Sequence, residues 1–289
     1  MRDGWRIEDD HELHPLTEDE CLEDTVDADA LIKYIVDHKD SITHVHFQGG
    51  EPFMMPEVYK TLDNLIKHDM HKEDGIHIWC HTNGSIRTFR DEDIIKKYLL
   101  KWEDRFHITM SHDGMGNRGE YIRYGYRDKK WLDIFRRIND AGCRMNIHHS
   151  LNIFNLLHQE ECLEWYHENV FSKMKEGKEI GVTIQPWGGL FKFENIGYVP
   201  ELVDNAITQF ENCVKFLTPH WREKQYSQYL PALYDLRDNG IAPDARFSYE
   251  DNDSTRHTFI RAVNKFDEMR KTDFHKTFPE LKLFWEYCS

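Results

Sequence analysis

The segment with the most chemical content is Val45-His46-Phe47-Gln48-Gly49-Gly50-Glu51-Pro52. A β-rich run passes straight into two glycines, an acid and a proline. Glycines at the C-terminal end of a strand let backbone approach a ligand, because no Cβ stands in the way. Glu51 then falls at the end of the strand where parallel α/β folds place their sites, and a carboxylate there suits an ammonium group. The plainer alternative is a turn carrying a surface acid. Two more β-rich runs end in polar turns, Cys80-His81-Thr82-Asn83-Gly84 and Ser111-His112-Asp113-Gly114, and Glu120-Tyr121-Ile122-Arg123-Tyr124-Gly125 follows.

Histidines gather around the same strands. His44 and His46 share one strand face by the period of two; His77 and His81, His107 and His112, and His148-His149 flank or end the next three. With Asp113 or Glu51 as a carboxylate ligand, such histidines could hold a divalent metal that activates water, which makes a metal-dependent hydrolase the rival reading. A single strand histidine is more often a hydrogen-bonded core or rim residue, and His44 and His46 precede the strand end. The six cysteines, Cys21, Cys80, Cys143, Cys162, Cys213 and Cys288, include no C-x-x-C or other close pair. No local zinc or iron–sulfur motif can be read from them, and reduced, mostly buried thiols are expected.

The elements that position these residues alternate. Strands are expected at Thr43–Phe47, Ile76–Cys80, Phe106–Met110, Arg144–His148 and Gly181–Gln185. Helical patterns lie between them: one from Pro56, one from about Asp91 with Ile94, Ile95, Tyr98, Leu99 and Trp102 on one face, one ending at Gly142, and one over about Leu156–Asn169. Upstream stands a helix at Ala28–His38 with no strand before it. After Pro200 only helices are read, over Glu201–Leu217, Glu223–Arg237 and Thr255–Lys271, with a short piece from Pro279. Asp238–Arg246 reads as a long turn and Glu250–Ser254 as a polar linker. The fold class is therefore α/β, a partial (β/α) barrel of about five parallel strands over residues 1–199, with an all-helical C-terminal extension over 200–289 packed on it.

Composition narrows the function classes. The chain has 289 residues with 37 Lys and Arg against 52 Asp and Glu, a net charge of −15, which argues against a broad phosphate-binding surface and a nucleic-acid partner. A 39% hydrophobic and 13% aromatic content is enough for a core. No apolar run approaches a bilayer span, so no membrane is expected, and the acidic N-terminus has no secretory h-region. A cytoplasmic location is the expectation. The C-terminal helices could present Phe210, Val214, Leu217, Phe259, Val263 and Phe266 as a docking face, but packing on the barrel is the more ordinary use of such spacing. Trp285 and Tyr287 suit either use, and the charge run Glu18–Asp24 reads as solvated surface.

Gln48–Pro52 resembles the Gly-Gly-Glu-Pro motif of the radical S-adenosylmethionine (radical SAM) superfamily. Thr82-Asn83-Gly84 is similar to that family's Thr-Asn-Gly turn, Ser111–Gly114 to its Ser-x-Asp-Gly turn, and Glu120–Gly125 follows at the spacing of the subgroup with twitch or SPASM-like accessory regions. The stretch Phe259–Leu283, with DFHKTFPEL, looks like the tail of twitch-type members. Each motif alone is weak; four in order at successive strand ends are strong. The resemblance implies that Gly49, Gly50 and Glu51 hold the α-amino group of SAM, with Pro52 closing the turn. It implies that Gln48 and Ser111 contact the nucleoside or methionyl part, and that Arg123 pairs with the SAM carboxylate. Asn83 and Asp113 would shape the pocket, and Ile184 and Gln185 would lie near the adenine.

The resemblance also implies a [4Fe–4S] cluster, held by a C-x-x-x-C-x-x-C loop after the first barrel strand, whose electron cleaves the SAM sulfonium to a 5′-deoxyadenosyl radical. No such loop stands in this sequence. The first strand read here already carries the Gly-Gly-Glu-Pro turn, which belongs to the family's second strand. The expectation is a five-stranded remainder with an unpaired parallel edge at Thr43–Phe47, covered by the N-terminal residues, by a homo-oligomer or by a separate polypeptide. Three explanations follow: a split enzyme whose second polypeptide brings the first strand and the cluster cysteines, a degenerate member that keeps a SAM pocket, or a truncated, inactive product. Retention of the SAM-pocket residues favours the first. The substrate is not written in the sequence.

Overall fold

The computed structural model describes residues 5–7, 13–15, 28–72, 75–85, 87–173, 180–186, 191–217, 223–240 and 253–289. Five parallel strands form one sheet in sequential order: β1 (His44–Phe47), β2 (His77–Thr82), β3 (Phe106–Ser111), β4 (Arg144–Leu151) and β5 (Gly181–Pro186). Helix α1 (Ala28–Asp37) precedes the sheet, and the helices between its strands are α2 (Pro56–Lys67), α3 (Gly116–Ile122), α4 (Asp128–Asp140) and α5 (Gln159–Asn169). The C-terminal region is helical: α6 (Pro200–Leu217), α7 (Glu223–Ser227), α8 (Leu230–Asn239), α9 (Asp253–Arg270), α10 (Phe274–Thr277) and α11 (Lys282–Cys288). The chain is thus an α/β protein with an open, barrel-like sheet. Each expected strand is present, and four extend one to three residues further at their C-terminal ends, towards the polar turns.

Alternation along the strands separates two faces. Val45, Ile78, Cys80, Ile108, Met110, Ile147, Val182 and Ile184 point to the helices and, except for half-buried Val45, are at most 4% exposed. The register aligns the intervening residues on the other face: His44 beside His77; His46, Trp79 and His107 in one row; His81, Thr109 and Asn146 in the next; then Ser111, His148 and Thr183, and last Ser150 beside Gln185. These are half-exposed or exposed, and Trp79 is 42% exposed. β1 is an edge strand that pairs, among the described residues, with β2 alone.

Three expectations are corrected. Two three-residue strands, Trp5–Ile7 and Leu13–Pro15, form an antiparallel hairpin upstream of α1 and apart from the main sheet; pieces so short carry no readable alternation. The segment from Asp91 opens not as helix but as a tight hairpin, Thr88–Phe89 with Glu92–Asp93. Its turn residues Arg90 and Asp91 take φ of 48° and 66°, without the glycine or asparagine that would signal such a turn. Asp93 then accepts the amide hydrogens of Ile95 and Lys96, and a π-helical turn over Ile95–Leu99 leads into Leu100–Trp102. The apolar face read there is nonetheless the buried one: Ile94, Ile95, Tyr98, Leu99 and Trp102 are all within 7% exposure. Finally, the helix expected over 223–237 is broken into α7 and α8, with Pro231 in the first turn of α8.

The C-terminal helices pack inward. Phe210, Val263 and Phe259 are buried in the core that also holds the sheet, and Val214 and Phe266 lie against it. Phe278 sits 5.1 Å from the Tyr121 ring and 5.3 Å from Phe154, so the tail closes over α3 and the segment following β4. Trp285 meets His275, and Tyr287 stacks on Tyr198. These contacts use up the aromatic face that could have been a docking surface. Cys21, the charge run at 18–24 and most of the 238–246 turn lie outside the described residues.

Candidate functional site

The Gly-Gly-Glu-Pro segment turns sharply at the end of β1. Gly49 and Gly50 take φ of 101° and 33°, and a Cβ built on Gly49 would meet nothing within 4 Å. The turn therefore presents bare, exposed backbone. Glu51 is neither a surface acid nor an open carboxylate. It is 8% exposed and braces the rim: Oε1 accepts from the Thr82 hydroxyl at 2.7 Å and from the Phe53 amide at 3.2 Å, and Oε2 accepts from the Asn83 amide at 2.7 Å. It thereby ties the end of β1 to the end of β2. Burial pushes its carboxyl above the usual range, opposed by these hydrogen bonds and by the charge of Arg123. Pro52 starts the one-turn 3-10 helix Pro52–Met54 below it, with Pro52 and Phe53 buried, and Gln48 is exposed at the strand end.

Asp113 and Arg123 come together as a pair. Arg123 Nε donates to Asp113 Oδ2 at 2.5 Å; Asp113 is 3% exposed and Arg123 31%. The other carboxylate oxygen accepts from the Ser150 amide at 2.7 Å, and the Asp113 carbonyl from Asn155 Nδ2 at 3.1 Å. The aspartate is fixed by the end of β4, and it in turn holds, through Nε, the guanidinium of a partly exposed side chain. Asn83 and Arg123 line one cleft of about 260 Å³ with Tyr126, Lys130 and Trp131. Sequence reading missed Ser150 and Asn155 as supports, and nothing in the spacing of residues 37 and 42 positions from Asp113 announces them.

Ser111 and Gln185 project to the open face of the sheet. The Ser111 carbonyl accepts from Trp131 Nε1 at 3.0 Å, and the Gln185 side chain meets His148 Nε2 at 2.9 Å. Ile184, expected beside Gln185, points the other way: it is 2% exposed on the helix side, its carbonyl accepts from Tyr229 and its amide donates to Gln225. Only Gln185 of that pair faces the site.

Behind the rim lies a buried relay of rings. His112 Nε2 is 2.7 Å from the Tyr126 hydroxyl and Nδ1 2.8 Å from that of Tyr166, while His149 lies 3.3 Å from Tyr166 and 3.0 Å from Gln159. Burial holds His112 well below the ordinary imidazole range and His149 at about 4, so both are neutral. They are structural, which removes them from any metal site.

The remaining histidines sit on the open face as neighbours: His46 and His81 with ring centroids 4.9 Å apart, His81 and His148 at 6.4 Å, and His77 hydrogen-bonded to His107 at 3.0 Å. Among the described residues no three His, Cys, Asp or Glu side chains gather as a metal ligand set. Asp113 and Glu51, the carboxylates a hydrolase would need, are both committed to the protein. Cys80, Cys143, Cys162, Cys213 and Cys288 are all buried, and burial pushes the Cys80, Cys162 and Cys213 thiols up. The described cysteines therefore do not fit an iron–sulfur cluster. The rim carries exposed backbone at Gly49 and Gly50 and a guanidinium paired with Asp113, group types that suit an ammonium and a carboxylate.

The chain is similar to known proteins. Two solved structures to which the chain is similar are native anSMEcpe with bound AdoMet, at 16% identity over 65% of this chain and 52% of that one, TM-score 0.41, and native anSMEcpe with bound AdoMet and Cp18Cys peptide, at 14% identity over 81% and 62%, TM-score 0.45. The chain thus spans 52% to 62% of the length of these structures. No curated protein matches it. The family model of the Radical SAM superfamily matches residues 16–166, more than half of the chain, and covers the three strand-end turns and the Arg123 segment. The chain belongs to the radical SAM superfamily.

Proposed function

We propose that this chain is the SAM-binding portion of a radical SAM enzyme and that the cluster cysteines and the first barrel strand come from a separate polypeptide. The observation that carries the SAM site is the pairing of Asp113 with Arg123 beside the glycine turn: it holds a guanidinium in place with its terminal N–H groups available to a carboxylate. Backbone carbonyls of Gly49 and Gly50 suit the ammonium end, with Glu51 setting the turn from beneath. Ser111 and Gln185, facing inward from β3 and β5, suit the nucleoside, and Asn83 closes the side of the cleft. SAM held there would supply one-electron reductive cleavage chemistry leading to hydrogen abstraction from a substrate. The chain's own residues would bind and orient it, with the Asp113 carboxylate buried and the Arg123 side chain partly open to the ligand.

A separate source for the cluster is supported by two features. The sequence contains no C-x-x-x-C-x-x-C loop. Among the described residues β1 pairs on one side only, and Met54 and Met55, 57% and 42% exposed, stand next to its turn. An open strand edge flanked by flexible apolar side chains suits an added strand.

The tests are separable. Calorimetry with SAM should show binding that Arg123→Ala weakens by about 1.5–3 kcal/mol, roughly tenfold to a hundredfold, as for loss of a charged hydrogen bond. Unchanged affinity would remove Arg123 from the site. A Gly50→Val change should also weaken SAM binding by blocking the backbone approach. Anaerobic purification from the native host should recover iron together with a polypeptide carrying the cysteine loop. Recovery of an iron-free chain alone that still binds SAM would favour a degenerate member; one that binds no SAM would favour an inactive remnant.

A further inference from the structure

The open face of the sheet has a composition that the SAM site does not use. Residues pointing to it come from all five strands, and six are histidines: His44, His46, His77, His81, His107 and His148. None of the inward strand positions is Asp or Glu, in a chain where acids outnumber bases 52 to 37. Acidic side chains are plentiful elsewhere and absent from these strand positions; Asp104, which lies just before β3, approaches only the His107 end, where it pairs with Arg144. A concave face with hydrogen-bonding imidazoles and no carboxylate is complementary to an anion.

The geometry is local as well as general. His46 from β1 and His148 from β4 flank His81 from β2, with centroids 4.9 Å and 6.4 Å away. Such spacings let one carboxylate or phosphate group accept from imidazoles on both sides. Beside them Trp79 lies flat against His107, ring centroids 4.4 Å apart and planes 2° from parallel, with 42% of its surface exposed. That gives a planar group a place to stack. His81 precedes Asn83 by two residues, so the anion position lies roughly 7 Å along the strand below the rim, within reach of chemistry begun there.

We infer that the substrate of this enzyme is an oxyanion, a carboxylate or phosphate, held on the sheet face by His46, His81 and His148 and stacked against Trp79. The inference rests on the radical SAM reading of the rim and names the class of molecule on which that site acts. The groups facing His81 are His46 and His148, both imidazoles; His148 also meets Gln185, and His107 meets His77 and, through charge, Arg144 and Asp104. Burial and the neighbouring imidazoles hold His81 below the ordinary range. It is therefore largely neutral when unliganded, and a bound anion draws protons onto the cluster.

The experiment uses the full chain with three probes: benzoate, its uncharged isostere benzamide, and phenyl phosphate. Benzoate should bind at least tenfold more tightly than benzamide. Its affinity should rise at least threefold between about pH 7.5 and about pH 5.5, as imidazoles take up protons. His81→Gln should remove most of both effects while leaving SAM affinity unchanged. Phenyl phosphate binding more tightly than benzoate would identify a phosphorylated substrate, and the reverse order a carboxylic acid. Equal binding of benzoate and benzamide, or a benzoate affinity indifferent to His81→Gln, overturns the inference. SAM titration of the same samples separates the two levels: normal SAM binding with no anion preference sinks the substrate class alone, whereas loss of SAM binding in the unmodified chain sinks the reading of the rim and this inference with it.

Discussion

The two faces of the sheet are built by the same five strands, yet they differ as much as core and solvent. On one, Ile78, Ile147 and Met110 are fully buried under helices. On the other, their immediate neighbours Trp79, His148 and Ser111 are open and polar. Parallel sheets ordinarily cover both faces with apolar residues. Here the alternation is kept, and only one face is made into core. On the reading proposed above, the second is left polar for a ligand rather than a helix. Stability is then assigned to one face and ligand chemistry to the other, a division that substitution at adjacent residues can test.

The largest contrast is expected at Ile147 and His148. Ile147→Ala opens a cavity in a fully buried position and should destabilise the chain by about 2–5 kcal/mol in denaturant unfolding. His148→Ala, one residue on, should change stability by less than about 1 kcal/mol. Similar losses at the two positions would mean that the histidine face is also core, and the distinction drawn between the faces would fail.

Next in size is the pH dependence of folding. His149 sits on the helix side and is the exception there, a polar residue buried among rings. Its imidazole titrates at about 4 in the folded chain, below the ordinary value of 6.5, because burial disfavours its charged form. The unfolded chain takes up its proton first as pH falls. The stabilisation is therefore complete above about pH 6.5 and is lost as pH falls towards 4, by up to about 3 kcal/mol from this group. His112, displaced in the same direction, adds to the loss. Urea midpoints at neutral and mildly acid pH should show this slope, and His149→Gln should reduce it. A midpoint independent of pH over that range would show the relay to be accessible to water.

Much of this was legible in the sequence because the strands obey simple rules. The period of two and the glycine turns located β1 to β5, and the order of four short motifs located Glu51, Asn83, Asp113 and Arg123. What those residues touch was not legible. Glu51 looks like an acid offered to a ligand, and only the fold shows its oxygens turned onto Thr82 and Asn83, 31 and 32 positions away. The Asp113–Arg123 pair depends on a helix returning α3 to the rim, and the His112–Tyr166 contact spans 54 positions. The hairpin at Arg90-Asp91 was invisible for a different reason: its left-handed residues carry side chains that ordinarily avoid that conformation. Conversely the break before α8 had a signal, Pro231, that a continuous apolar pattern had masked.

A small effect on stability is expected at Trp79, and it sharpens the comparison most. Removing a large aromatic from a core costs about 3–5 kcal/mol. Trp79 is 42% exposed, and its stacking on His107 is the main contact holding it, so Trp79→Ala should destabilise the chain by only about 1 kcal/mol. Ligand binding should respond in the opposite proportion. If the indole is kept on an open face for stacking, its loss should weaken phenyl phosphate or benzoate binding severalfold while unfolding barely shifts. A substitution that unfolds the chain and spares ligand binding would assign Trp79 to the core, and the division of labour between the faces would then have to be redrawn at β2.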